Sequence, residues 1–441
     1  MMDGSSPIRI EGAARPTRER LRAAVRKGIA PATAFGMRLC AAAMAYLTFA
    51  LIGRVTDIEG FSRFALVFSA VGFLGPVSSL GQDALLLRNL PGITADGDRG
   101  WRDLVRSCAR TLLLGIAIWG SIGLAYGLYV LGPSEPWLVA LLVALTASNG
   151  ILELLFAIQR GCGSILPGIL SREILWRVTF IAGISVLWFF QTTASATMLA
   201  LAYLLGLLTS MAAFLAYVIP RWIRAGSAQP GPAADQSRPS AGAYFGINLI
   251  GHATPQIDML VLGLTIAHAG TEIGAYFSAQ RIIQILYFFA YGIAITITPQ
   301  IPLAWQRRDI PEMVRLSRTV SRGAGACVLL VSIGLMLFAG PLLGLFKPEF
   351  SFYGHFLVIL ALGPLFSTLG GLHTVIAPMC GGEVAYLRLR IAVVVTATVL
   401  KVIAGFQGSL ILFAAISATE AALTAAVGVI LARSKLSAWP V

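Results

Sequence analysis

Asn248, His252, Gln256 and Asp258 share one apolar stretch of this chain, and Arg281 and Gln284 share the next. They place a carboxylate, an imidazole, amides and a guanidinium in sequence that is otherwise oily. Ionisable groups at such depth are expensive, and they face a bundle interior or a wet cavity. Two chemistries follow. A guanidinium binds anions through charge and fork geometry, which points Arg281, and Arg38 in the first apolar stretch, at an anionic ligand. A carboxylate can carry a proton or Na⁺, and an imidazole titrates near neutral pH. That points Asp258, His252 and Glu420 at ion coupling, with Asp83, Asn248 and Gln256 as further polar groups of the same cavity. The competing reading is structural: arginines that snorkel from helix ends, and polar groups that bond across a helix–helix contact.

Spacing constrains the set. His252 and Gln256 are four apart and share a helix face, while Asp258 lies six beyond His252 and does not. Pro255 removes a backbone hydrogen bond between them, so a kink or unwound turn is expected to let them converge. Arg172, Glu173 and Arg177 read as a mutually paired interfacial cluster. Glu153 and Arg160 are expected at the inner edge, Lys401 is expected to snorkel from the end of its helix, and His373 to serve a structural hydrogen bond. No metal-type spacing, no Ser-His-Asp arrangement and no phosphate-cradling Gly-rich loop with Lys is present. The expectation is a chain that is not an enzyme and uses no cofactor or metal.

The elements that position these residues follow from composition. Hydrophobic residues make up 57% of the 441 and charged ones 12%, against about 25% charged in an ordinary soluble domain. The fold class is therefore all-α and polytopic, since helices whose backbone bonds close within the segment suit a bilayer. Twelve spans are expected, at about 29–53, 64–88, 108–131, 136–158, 167–190, 195–219, 242–267, 274–302, 323–346, 354–380, 385–405 and 408–432. The 33 Lys and Arg set the orientation: with the N-terminus in the cytoplasm, 26 fall on the inside and 3 on the outside, as the positive-inside rule asks. The net charge of +13 is thus explained without nucleic acid. Residues 1–28 read as a basic cytoplasmic arm with no cleavable leader, a solvated tail that obeys the positive-inside rule, with a short amphipathic helix on anionic lipid as the alternative. None of the five cysteines is expected in a disulfide.

Residues 221–241 are rich in Pro, Gly, Ser and Ala and read as a flexible cytoplasmic linker. They divide the chain into a first lobe, 29–220, and a second, 242–435, with a short tail at 436–441. The halves repeat. LIGRVTDIEGFSRFALVFS in the first matches VLGLTIAHAGTEIGAYFSAQ in the second, and each is followed by a basic loop, RDLVRSCAR (102–110) and PEMVRLSR (311–318). An even number of spans per half makes this a parallel repeat about an axis along the membrane normal.

At these residues the chain resembles the polysaccharide-transporter branch of the multidrug/oligosaccharidyl-lipid/polysaccharide exporter superfamily. The motifs that carry the resemblance are Arg54, Phe61-Ser62-Arg63-Phe64, Leu80-Gly81 and Arg88 in the first half. In the second they are Asp258, Leu262-Gly263, Gly274-Ala275-Tyr276, Ala279-Gln280-Arg281 and Pro299. Ser62 stands where the family usually has Gly, and Asp83 where it is usually apolar. The resemblance implies two six-helix lobes around a central cavity lined by spans one, two, seven and eight. It implies a flippase of the bacterial inner membrane that moves undecaprenyl-pyrophosphate-linked oligosaccharide by alternating access. The buried carboxylates and His252 leave H⁺ or Na⁺ coupling open beside uncoupled movement down the membrane potential. A multidrug/cation antiporter of the same superfamily is the alternative, and it would need an acidic cavity.

Overall fold

The structure, a computed structural model, describes residues 36, 40 and 43–436 apart from 84, 88–89, 91–100, 163–166, 169, 191–192, 225–239, 267–269, 298–300, 302–303, 306, 370–375 and 378–381. Arg38, His373, the basic arm and most of the 221–241 linker lie outside the described residues. Among the described residues there is no strand. The first half contains α1 (Ala43–Val55), α2 (Ile58–Ser78), α3 (Trp101–Val130), α4 (Pro136–Gly161), α5 (Trp176–Phe189) and α6 (Ala196–Arg224). The second contains α7 (Ser240–Thr265), α8 (Thr271–Ile297), α9 (Ile310–Leu337), α10 (Gly354–Leu369), α11 (Glu383–Phe406) and α12 (Leu410–Leu436).

A helix lies at each of the twelve expected positions. By length and apolarity, 8 of the described helices can cross a membrane: α2, α3, α4, α6, α9, α10 with the turn before it, α11 and α12. The helix α7 is long enough at 26 residues, but its polar residues lower its apolarity. The two basic stretches expected as loops are instead helical, and form the first turns of α3 and α9. Local chemistry explains one of these starts. Asp309 caps α9 by accepting from the Glu312 N–H at 3.1 Å, with Pro311 in the first turn, where a missing N–H costs nothing. Asp57 does the same for α2, accepting from the Gly60 N–H at 2.7 Å, so that helix begins six residues before the expected 64.

The helix pairings repeat across the halves. In the first, α2, α3 and α4 pack on one another, α4 packs on α6, and α5 on α6; in the second, α8, α9 and α10, then α10 on α12, and α11 on α12, do the same. The halves meet where α2 packs against α7 and α8.

The end of the bundle that carries residues 56–57 and 345–353 is closed across the two halves. Lys347 Nζ donates to the Thr56 carbonyl at 2.6 Å, and Ser62 Oγ to the Gly270 carbonyl at 3.0 Å. Burial lowers the pKa of the Lys347 ammonium, with Glu349 and Asp57 opposing the shift. The Tyr46 ring stands edge-on to Phe346 at 5.1 Å, and Phe61 meets Phe350 at 5.4 Å. Gly53 lies directly against the Phe346 carbonyl. A Cβ at Gly274 would come within 2.6 Å of the Phe350 ring and 2.9 Å of Ser62 Oγ. Small residues at such crossings let membrane helices approach closely.

Candidate functional site

Two polar centres sit in the second half, and α8 carries part of each. The first is built around Asp258 on α7, which is 5% exposed. Lys401 Nζ, from α11, donates to its Oδ1 at 2.6 Å. Tyr276 Oη and Gln280 Nε2, one turn apart on α8 and therefore on one face, donate to its Oδ2 at 2.7 Å and 3.0 Å. Lys401 also pairs with Glu420 of α12. The ammonium is 1% exposed and Glu420 3%. Burying an ion costs several kcal/mol, and only good geometry with further hydrogen bonds offsets it. Asp258 meets that demand with three donors. Two carboxylates face one ammonium, so the triad holds one carboxylate in excess.

The second centre is Arg281, also on α8 and 8% exposed. It is packed rather than paired. Its guanidinium lies 4.4 Å from the Phe277 ring centroid, 5.1 Å from Phe68 and 5.6 Å from Phe49. Phe49 belongs to α1 and Phe68 to α2, so Arg281 sits between the halves. Its hydrogen bonds are long: Nη2 to Gln256 Oε1 at 3.3 Å and Nη1 to Gln284 Oε1 at 3.4 Å. Among the described residues its Nε has no hydrogen-bond partner and no carboxylate pairs with it. Cation–π contact supplies about 2 kcal/mol or more when desolvated, short of what a counter-ion gives.

A cavity of about 470 Å³ opens beside both centres. It is lined by α7 to α12, including Asp258, Gln280, Gln284, Arg390, Lys401 and Glu420. This cavity lies inside the second half, among its own six helices. Arg390 Nη1 reaches the Ile247 carbonyl at 3.4 Å.

The first half holds its charges differently. Arg172 lies in a π-helical turn, Leu170–Leu175, and pairs with Glu153 and, at 2.8 Å, with Glu173. Arg177 pairs with Glu173 at 3.1 Å and covers Trp176 at 4.5 Å. The expected pairing of Arg172, Glu173 and Arg177 is therefore present. Glu153 pairs with Arg172, and Arg160 lies over Phe156 at 5.1 Å.

Of the residues singled out by sequence, the structure joins Asp258 to Glu420 through Lys401, and Gln256 to Arg281. The side chains of Asn248 and His252, like all of Arg38, fall outside what is described. Asp83 does local work: Ser79 Oγ donates to its Oδ1 at 2.9 Å, beside a turn in which Leu80 and Gly81 have φ of 48° and 80°. Pro255 leaves α7 helical throughout, so no unwound turn gathers these groups. Lys401 does not snorkel; it is the least exposed charge of the triad. Sequence reasoning missed the roles of Lys401, Tyr276 and Gln280. The available signal was an unanswered charge tally: two carboxylates at membrane depth required a cation.

No family model matches the chain, and no curated protein matches it. Its fold is similar to that of several solved transporters. A multidrug resistance MATE family transporter of the MOP superfamily, in an inward-facing conformation, matches with a TM-score of 0.64 at 18% identity, over 89% of this chain and 94% of that one. The lipid II flippase MurJ, in an inward closed conformation, matches with a TM-score of 0.60 at 13% identity, over 92% of this chain and 87% of that one. A MATE protein in complex with MaL6 matches with a TM-score of 0.56 at 15% identity, over 92% and 96%. The chain therefore has the two-lobed, all-helical fold seen in MATE transporters and MurJ.

Proposed function

We propose that this chain is a flippase that moves a pyrophosphate-linked oligosaccharide, carried on undecaprenol, across the bacterial inner membrane by alternating access, with both termini in the cytoplasm. One observation carries the reading. Arg281 is a buried cation between the lobes, and no carboxylate among the described residues answers its charge. An anionic head group would do so, and a guanidinium suits pyrophosphate oxygens through its fork of donors. Arg38 is proposed as a second cation of the same site. The closed end of the bundle, poor in Lys and Arg, then faces outward, and the cargo enters from the cytoplasm. Outward movement of an anion follows the membrane potential, worth about 2.3 kcal/mol per charge per 100 mV.

If an ion is coupled, the triad favours H⁺ over Na⁺. The Lys401 ammonium already stands where a metal cation would sit between Asp258 and Glu420. Asp258 takes three donors and Glu420 takes Lys401 alone, so Glu420, the less satisfied carboxylate, is the one proposed to bind the proton. Lys401 and Asp258 flank it, with Tyr276 next to Asp258, and Arg390 and Tyr287 share the cavity it lines.

The test is complementation of a cell that lacks its own flippase. Arg281→Ala is expected to abolish export of surface polysaccharide while membrane abundance stays at the wild-type level. Full export by Arg281→Ala would refute the reading. The buried carboxylates favour one competing function, a cation antiporter. It predicts that expression lowers susceptibility to cationic drugs, with no effect on polysaccharide.

A further inference from the structure

We propose that the exposed face of α9, over its first turns, is a binding site for the headgroup of an anionic phospholipid. A shallow recess of about 660 Å³ lies there, lined by Pro311, Val314, Arg315, Arg318, Thr319 and Arg322. Arg315, Arg318 and Arg322 follow one another at intervals of three and four, so the three guanidiniums share one side of the helix. All three are exposed. The opposite side, with Met313, Leu316 and Val320, is buried in the second half. The helical form of this basic stretch is what aligns its charges.

That charge is complementary to phosphate. Residues 307–322 hold five arginines against Asp309 and Glu312, a net charge of +3. Glu312 accepts from Arg315 Nε and Nη2, both at 2.7 Å, and none of the described lining residues is a carboxylate. A guanidinium offers two donors at once to phosphate oxygens. The site rests on these side chains and not on the helix end, where Asp309 already takes the Glu312 N–H.

The continuation of the same face selects a lipid. Beyond Arg322 it runs through Ala326, Leu329, Ile333 and Leu337, all exposed, and Leu330 beside them is 71% exposed. A Cβ at Gly323 would meet no atom within 4 Å, so the face is open beside Arg322. From Arg322 to Ile333 the helix rises about 16 Å at ~1.5 Å per residue, close to half of a ~30 Å hydrocarbon core. A phosphate at Arg322 thus leaves one leaflet's depth of apolar helix for the acyl chains. A soluble anion would have no use for that stripe. The positive-inside rule asks for basic residues at this end of the bundle, but not for a shared helix face that runs on into a lipid-facing stripe.

Native mass spectrometry of the purified full chain tests the site, with phosphatidylglycerol and zwitterionic phosphatidylcholine of the same acyl chains as probes. The wild-type protein is expected to bind phosphatidylglycerol more tightly. Arg318→Gln combined with Arg322→Gln should weaken that binding by about 25-fold, at about fivefold per basic residue beside an anionic lipid, and leave phosphatidylcholine unchanged. Arg322→Glu keeps Arg318 and should weaken it by about fivefold or more; it is the deciding variant if the double one does not fold. Arg106→Gln combined with Arg110→Gln removes the same charge from exposed positions at the start of α3, and should cost less than the α9 pair. An affinity for phosphatidylglycerol no greater than for phosphatidylcholine overturns the proposal. So does wild-type binding by the α9 variants, or an equal loss in the α3 pair, which would reduce the arginines to a general positive surface.

Discussion

The two halves share a pattern of helix packing and differ in what they bury. In the first, Phe64 of α2 lies in an aromatic cluster with Phe180 at 5.8 Å, Tyr203 and Phe68. In the second, the position matched by the Ser62/Gly274 alignment is Tyr276, whose hydroxyl reaches Asp258. Placing α6 and α12 in register from their ends sets Gly206 to Leu208 opposite Glu420. Gly206 there lies 2.6 Å, at its would-be Cβ, from the Trp176 carbonyl, so the first half closes on backbone where the second holds a carboxylate. Its own charges sit apart, in the more exposed Glu153–Arg172–Glu173–Arg177 group. The halves share a scaffold, and among the described residues the second is the one polar at its centre.

Removing the cation from each half should separate the two kinds of charge cluster. Lys401→Met leaves two carboxylates unpaired at 7% and 3% side-chain exposure, and breaking a buried pair costs about 3–5 kcal/mol. A large drop in thermal midpoint of the purified protein is expected. Adding Asp258→Asn and Glu420→Gln should recover most of it, because polar but uncharged partners remove the excess charge. Arg172→Met leaves carboxylates at 11% and 26% exposure, where water shares the cost, so its drop should be smaller. Equal drops would dissolve the contrast between the halves.

Much of the scaffold is legible in the sequence because its signals are local. Apolar length placed the helices, the basic stretches marked one end of the bundle, and the hairpin repeat foretold the matching pairings. The site is less legible because it depends on which faces converge. Lys401 lies toward the end of α11, where a lysine on a lone helix would reach the headgroups. It turns inward because α7 and α12 bring two carboxylates to it from 143 and 19 residues away. Arg281 was marked by type and depth, but the three phenylalanine faces that hold it come from α1, α2 and its own helix. Helix starts at Asp57 and Asp309 were readable as caps in principle, yet the basic residues after Asp309 read as loop because charge masked the capping signal.

A second comparison uses one atom. Phe64→Tyr adds a hydroxyl to the aromatic cluster of the first half. Leaving such a group buried without a partner costs about 1–3 kcal/mol, and the thermal midpoint should fall by a measurable amount, though less than for Lys401→Met. A variant as stable as wild type would mean that this half, too, can satisfy a polar group at its centre.

The reciprocal change, Tyr276→Phe, should cost least. Hydrogen bonds between membrane helices average about 0.6 kcal/mol and reach about 1.7, and Asp258 keeps Lys401 and Gln280 as donors at 2.6 Å and 3.0 Å. Ser417 Oγ, now 3.2 Å from the Tyr276 hydroxyl, keeps its bond to the Phe413 carbonyl, so no new orphan is created. The ring stays between Phe356 and Phe413, at 5.7 Å and 5.6 Å, and the packing is unchanged. The thermal midpoint should therefore move less for Tyr276→Phe than for Phe64→Tyr, although both change a single hydroxyl. If the order is reversed, Asp258 depends on Tyr276 more than on its two other donors, and the second half is held by that one bond rather than by the lysine.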